Sequence, residues 1–146
     1  MAWRNIMYAL YEAGYAMRKT DILIIEDDHL VGEISRHILA AAGYSVQWVQ
    51  ESREALEAVK KAQPRLVITD IMMPGITGLD ICKLITSDPD LARVKVLVMS
   101  AKSFEMEKLR AKMFGAHCFL PKPFTEKLLL STVAELLRAP AGDPPP

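Results

Sequence analysis

The chain has 146 residues, and its 18 basic and 18 acidic side chains leave a formal net charge of zero. Such a balance gives no electrostatic footprint for nucleic acid or for insertion at an anionic membrane, so a direct DNA-binding role would need an additional module. With 51% hydrophobic and 25% charged residues, the length fits one globular domain, and no apolar run approaches membrane-spanning length.

Residues 1–19 read as an N-terminal extension. Within it Trp3, Ile6, Met7, Leu10 and Gly14 recur at helical spacing, which predicts a short amphipathic helix over Asn5 to Ala16. The competing reading is that Met17 opens the domain proper and that the preceding segment is an appendage or a start-site artefact. A domain over residues 20–138 follows, and the tail 139–146, ending AGDPPP, is too rich in proline to fold.

From Asp21 the pattern alternates between strand and helix. Ile22 to Ile25 is a continuous apolar run, as in a strand covered on both faces, and it ends in Glu26, Asp27 and Asp28. His29 to Ala42 carries apolar residues at helical spacing with Gly43 as a stop, and Tyr44 to Val49 alternates as a second strand. Glu51 to Ala62 predicts a helix with Ser52 as its N-cap, broken by Gln63-Pro64. The third strand, from Leu66, ends on Asp70 just before Met73-Pro74-Gly75. A helix from Gly78 to Ser87 stops at Asp88-Pro89, and Val94 to Met99 forms a fourth strand leading into Ser100-Ala101. Phe104 to Phe114 reads as a charged helix, Cys118 to Leu120 as a short fifth strand before Pro121-Lys122-Pro123-Phe124, and Glu126 to Leu137 as a last helix capped by Thr125.

Five strands alternating with helices call for a doubly wound parallel sheet with helices on both faces, most commonly in the order 2-1-3-4-5. That order makes the first and third strands neighbours, which brings Glu26 and Asp27 beside Asp70. Three carboxylates in one crevice repel one another by roughly 3 to 4 kcal/mol per pair at separations of about 4 to 5 Å and an effective dielectric of about 20. Lys122, at the end of the fifth strand, supplies one compensating charge, and a hard divalent cation suits the remaining oxygen donors. Mg²⁺ fits better than Ca²⁺, since no loop supplies the spaced oxygens of an EF-hand.

The motifs ILIIEDD, VITDIMMPG, VLVMSA and FLPKPF, in this order and spacing, resemble the receiver (CheY-like) domain of bacterial two-component response regulators over about Asp21 to Arg138. The resemblance implies a flavodoxin-like fold and a phosphorylation-dependent signalling switch, a phosphoprotein of a phosphorelay. By position, Asp70 would be the phosphoacceptor. Asp27, Glu26, Asp70 and the backbone carbonyl of Met72 would hold Mg²⁺. Ser100 and Lys122 would contact the phosphoryl group, Ser100 and Phe119 would form the switch pair, and the Lys122-Pro123 bond would be cis. The implied partners are a histidine kinase or phosphotransfer protein and a downstream protein target, with a homodimer through the 104–137 face as a further expectation. On this reading the chain is no enzyme beyond its own phosphorylation and dephosphorylation at Asp70.

Departures from the family pattern bear on kinetics. Met72 is apolar and cannot orient an attacking water, while Lys102 is charged and stands two residues after Ser100, so phospho-Asp70 is expected to hydrolyse no faster than is usual for the family. Thr77 stands where an aspartate is common, and Phe119 lacks the hydroxyl of the tyrosine alternative. Other classes fit less well: a Mg-dependent aspartyl phosphatase wants a second acid where Met72 stands, and a flavin carrier wants a hydroxyl-rich loop where Glu26-Asp27-Asp28 would repel phosphate. A phosphorylation-independent module of the same shape would not need the full acceptor, metal and lysine set. Cys82 and Cys118 lack metal-ligand spacing and read as free thiols in a reducing, cytoplasmic compartment. His29, His37 and His117 form no metal triad, His29 reading as a polar first-turn residue, and Trp48 reads as a packing surface.

Overall fold

The computed structural model describes residues 2–12, 20–101 and 105–138. The N-terminal helix α1 spans Ala2–Glu12, starting earlier than the spacing predicts, and its Trp3 and Ile6 side chains are exposed. The predicted positions 13–16 of that helix, the predicted tail, Lys102 and Phe104 lie outside the described residues. The remaining elements are β1 (Ile22–Ile25), α2 (His29–Ala41), β2 (Val46–Val49), α3 (Ala55–Ala62), β3 (Leu66–Asp70), α4 (Gly78–Ser87), β4 (Lys95–Ser100), α5 (Glu105–Met113), β5 (Cys118–Pro121) and α6 (Glu126–Arg138).

The five strands form one parallel sheet in the expected order, β2-β1-β3-β4-β5. β1, β3 and β4 are buried along their whole length, which is why their stretches Ile22–Ile25, Leu66–Ile68 and Val96–Met99 read as apolar runs with no alternation. Their side chains divide between two cores. Leu23, Ile25, Val67, Val96 and Val98 pack with α3, α4 and Ala111 of α5. Ile22, Ile24, Leu66, Ile68, Leu97 and Met99 pack with Leu39 of α2 and with Leu129, Val133 and Leu136 of α6. The alternation along each strand thus sorts the helices to opposite faces.

Several helix ends follow the sequence. Thr77 and Asp80 form a reciprocal capping box at the start of α4, and the Thr125 hydroxyl accepts from the Leu128 N–H at 3.1 Å. The Ser52 expectation is corrected: the segment Ser52–Glu54 is a 3₁₀ turn, and the Ser52 hydroxyl donates to the Pro74 carbonyl at 2.7 Å instead of capping a helix. The long-range bond satisfies a carbonyl in the loop after β3, and this outweighs a local cap. The second strand is also shorter than predicted, starting at Val46, although the Ser45 carbonyl already accepts from the Asp21 and Ile22 N–H groups at 3.0 Å. At the far end of the sheet the buried Lys95 amine donates to the Leu136 carbonyl (2.7 Å) and Arg65 to that of Leu137 (2.9 Å), tying down the last turn of α6.

Candidate functional site

The site forms at the carboxyl edge of the sheet, where β1, β3, β4 and β5 end side by side. Glu26 follows β1 and is fully buried, Asp70 closes β3 and is 6% exposed, and Ser100 closes β4 and is buried. Lys122 follows β5 after a backbone bond from its N–H to the Ser100 carbonyl (2.7 Å), and its peptide bond to Pro123 is cis, as expected. Parallel pairing in register therefore suffices to bring residues from four separated segments to one crevice.

One carboxylate oxygen each from Glu26, Asp27 and Asp70 lies within 4.8 Å of the others, the one such acidic group among the described residues. The Lys122 amine lies between two of them, 2.7 Å from Glu26 Oε2 and 3.5 Å from Asp70 Oδ1. Burial pushes the Glu26 carboxyl above its ordinary range, partly offset by the hydrogen bond from Lys122. Burial does the same to Asp70, offset by the Lys122 charge and by a hydrogen bond from the Met72 N–H. Among the described residues one amine, bonded to Glu26 and near Asp70, thus serves a group of three acids. The excess of negative charge and the all-oxygen donor set suit a hard divalent cation of the Mg²⁺ type, while no thiol or imidazole belongs to the group.

The neighbouring acid has a different task. Asp28 caps α2, accepting from the Val31 N–H at 3.0 Å, and its own N–H donates to Glu26 Oε1 at 3.1 Å. The Met72 side chain, two residues after Asp70, is exposed. Phe119, on β5 opposite Val98 of β4, is half-buried against the core shared by α3 and α4. His29 stays outside the acidic group, paired with Gln50 (3.2 Å) and tilted against the Trp48 ring.

Sequence reasoning missed three fixings of this site. The Trp48 indole donates to the Glu26 carbonyl at 2.9 Å, and Ser52 holds the Pro74 carbonyl. Gly78, read only as a helix start, sits so close to β3 that a Cβ there would lie 2.0 Å from the Asp70 carbonyl oxygen. Its glycine identity was the one available signal. Gly78 also donates from its N–H to the Ile71 carbonyl at 3.1 Å, so α4 begins directly against the acceptor loop.

Comparison with known proteins agrees with this geometry. The response regulator receiver domain family matches residues 22–134. The response regulator MprA of Mycolicibacterium vanbaalenii is 37% identical over 122 residues, covering 84% of this chain and 52% of that protein, so the chain spans about half the length of this relative. The chemotaxis protein CheY4 of Vibrio cholerae superposes with a TM-score of 0.76 at 28% identity, covering 80% of this chain and 98% of that one. The signal receiver domain of a signal transduction histidine kinase from Syntrophus aciditrophicus gives a TM-score of 0.75 at 33% identity, covering 82% and 90%. Fold, acidic crevice and relatives lead to one assignment: the chain belongs to the response regulator receiver domain family of two-component signalling.

Proposed function

We propose that this receiver domain is a switch thrown by phosphorylation of Asp70, taking the phosphoryl group from a histidine kinase or phosphotransfer protein and signalling by altered binding to a downstream protein. The observation that carries the reading is the crevice itself, with three carboxylates within 4.8 Å and the Lys122 amine 3.5 Å from Asp70 Oδ1. On this reading the chain works in the cytoplasm and catalyses only its own phosphorylation and dephosphorylation.

The chemistry follows from the residues. One Asp70 carboxylate oxygen attacks the phosphorus of the donor phosphohistidine. A P–O bond forms, the P–N bond breaks, and the departing imidazole keeps the bond's electron pair and takes up a proton. The transition state is loose, so the protein contributes alignment and neutralisation of charge on the equatorial oxygens more than covalent chemistry. Lys122 brings its charge to those oxygens. Glu26, Asp27, Asp70 and the Met72 carbonyl would hold Mg²⁺, which when bound supplies further electrostatic stabilisation of the transferring group.

Ser100 and Phe119 are the proposed differential contacts between the resting and phosphorylated forms. Shifting a population from mostly off to mostly on takes about 5.5 kcal/mol of differential stabilisation. A single hydrogen bond to a charged group gives about 1.5–3 kcal/mol, so Ser100 must act together with Lys122 and the loops that carry them. The test is incubation with Mg²⁺ and acetyl phosphate followed by intact mass measurement. Wild type should gain one phosphoryl group and Asp70→Asn none; an unmodified wild type, or an equally modified Asn variant, overturns the proposal.

A further inference from the structure

β1 and β2 run parallel with Ile25 opposite Val49, and the N–H of Glu26 donates to the Val49 carbonyl at 3.1 Å. In a parallel ladder the N–H and C=O of one residue point toward the same neighbouring strand. The Glu26 carbonyl therefore faces the β2 side, where the strand has ended at Val49 and the chain turns away into the 3₁₀ segment. A side chain supplies the donor that the next strand residue would have given: the Trp48 Nε1–H bonds the Glu26 carbonyl at 2.9 Å.

The indole is itself fixed from the helix side. Gly32 of α2 makes the notch in which it lies, since a Cβ at position 32 would come within 2.1 Å of Trp48 Cε2. The His29 ring sits 5.4 Å away, centroid to centroid, and His29 is in turn bonded to Gln50, just after β2. Beyond the Glu26 peptide, the same residue's carboxylate holds the Asp28 N–H and the Lys122 amine. A rotation of that peptide would therefore be felt at both ends of the crevice, and it would also turn the Asp27 side chain that follows.

We infer that Trp48 is a positioning residue for the cation and acceptor site, acting through the Glu26 peptide to hold the Glu26 and Asp27 carboxylates where they meet Asp70. The inference rests on the receiver reading above. Trp48 touches none of the reacting atoms; its part is to make the acidic loop rigid before any cation arrives.

The test uses the full chain and Trp48→Phe, which keeps an aromatic ring at this position and removes the N–H donor together with the part of the indole that fills the Gly32 notch. Calorimetric titration with Mg²⁺ should show binding weakened about three- to ten-fold, the range set by loss of one hydrogen bond. In the metal-free protein the Asp28 amide should exchange with solvent faster in the variant. At saturating Mg²⁺ the rate of phosphorylation by acetyl phosphate should return to the wild-type value, since the defect lies in site assembly. A purely structural role for the ring would lower the melting temperature while leaving Mg²⁺ affinity and Asp28 exchange unchanged, and that result overturns the inference. The two readings fail differently. Equal Mg²⁺ affinity in two phosphorylatable proteins removes the role of the indole alone, whereas a wild type that neither binds Mg²⁺ nor takes a phosphoryl group removes the receiver reading and this inference with it.

Discussion

Asp70→Asn tests whether the acidic crevice is built for function at the expense of stability. At an effective dielectric of about 20, the 3.5 Å contact with Lys122 favours the Asp70 charge by about 5 kcal/mol, while Glu26, with an oxygen within 4.8 Å, opposes it by about 3.5 kcal/mol. Asp27 adds a further repulsion, reduced by its exposure to solvent. The charge contributions nearly cancel, so burial decides the sign, in keeping with the raised Asp70 carboxyl. Removing the charge does not orphan Lys122, which keeps Glu26 at 2.7 Å. The asparagine variant should therefore be more stable than wild type without Mg²⁺ at neutral pH, by about 1–2 kcal/mol, the scale of one desolvated polar group. In a domain of this size that corresponds to a rise of about 3–6 °C in Tm.

The pH dependence follows from the direction of the shift. A carboxyl whose folded pKa is raised contributes its stabilisation at low pH, where it is protonated in both states, and that contribution is lost as pH rises through the folded pKa. The advantage of Asp70→Asn should be absent below the ordinary Asp value of 3.8 and should grow as pH rises above it. Saturating Mg²⁺ should then reverse the order, because a ligand at a hundred times its Kd adds about 2.7 kcal/mol to the protein that binds it. Thermal melts from pH 3 to pH 8, with chelator or with Mg²⁺, measure both effects. A variant less stable than wild type in chelator at neutral pH, or a difference independent of pH, would refute the reasoning.

Lys122→Met leaves Glu26 and Asp70 buried without their cation, and it should cost about 3–5 kcal/mol at pH 8 by denaturant melts. Both acids then take up protons more readily, so the loss should shrink toward pH 4, and a deficit that stays constant with pH would contradict it. Gly78→Ala forces a Cβ to within 2.0 Å of the Asp70 carbonyl oxygen, so α4 or the end of β3 must move. A stability loss of about 1–3 kcal/mol together with slower phosphorylation by acetyl phosphate is expected, and wild-type behaviour in both assays would count against the close approach. The Cys82 thiol, fully buried and pushed up to about 12, should resist iodoacetamide at pH 8 in the folded protein and react after unfolding; prompt alkylation in the folded state would contradict its placement.

The fold was legible because it rests on features that repeat. Apolar runs at Ile22–Ile25, Leu66–Ile68 and Val96–Met99, separated by helical stripes, specify buried parallel strands, and the winding follows from the count and from right-handed crossovers. Once the order of strands is known, the meeting of Glu26, Asp27, Asp70 and Lys122 follows, since each stands at or just after the end of a strand. Short-range signals did less well where a distant partner competed. Ser52 stands at the predicted start of a helix, yet its hydroxyl is taken by Pro74, 22 residues away.

The same physical distinction explains why Trp48 went unread. A strand residue announces itself by alternation, but the bond from its indole to Glu26 depends on where β2 stops relative to β1 and on the empty space at Gly32. Neither property has a period in the sequence. Ladder ends are where backbone groups must find other partners or remain unpaired in a buried place. At the carboxyl edge of a parallel sheet those ends are also the loops that carry ligands. Side chains that supply backbone partners there, as Trp48 does at the ladder end for Glu26 and Ser52 does for Pro74 in the loop after β3, therefore stabilise the backbone and shape the site through the same bond. Their substitution should be read out at the site even though they bear no charge and touch none of the reacting atoms.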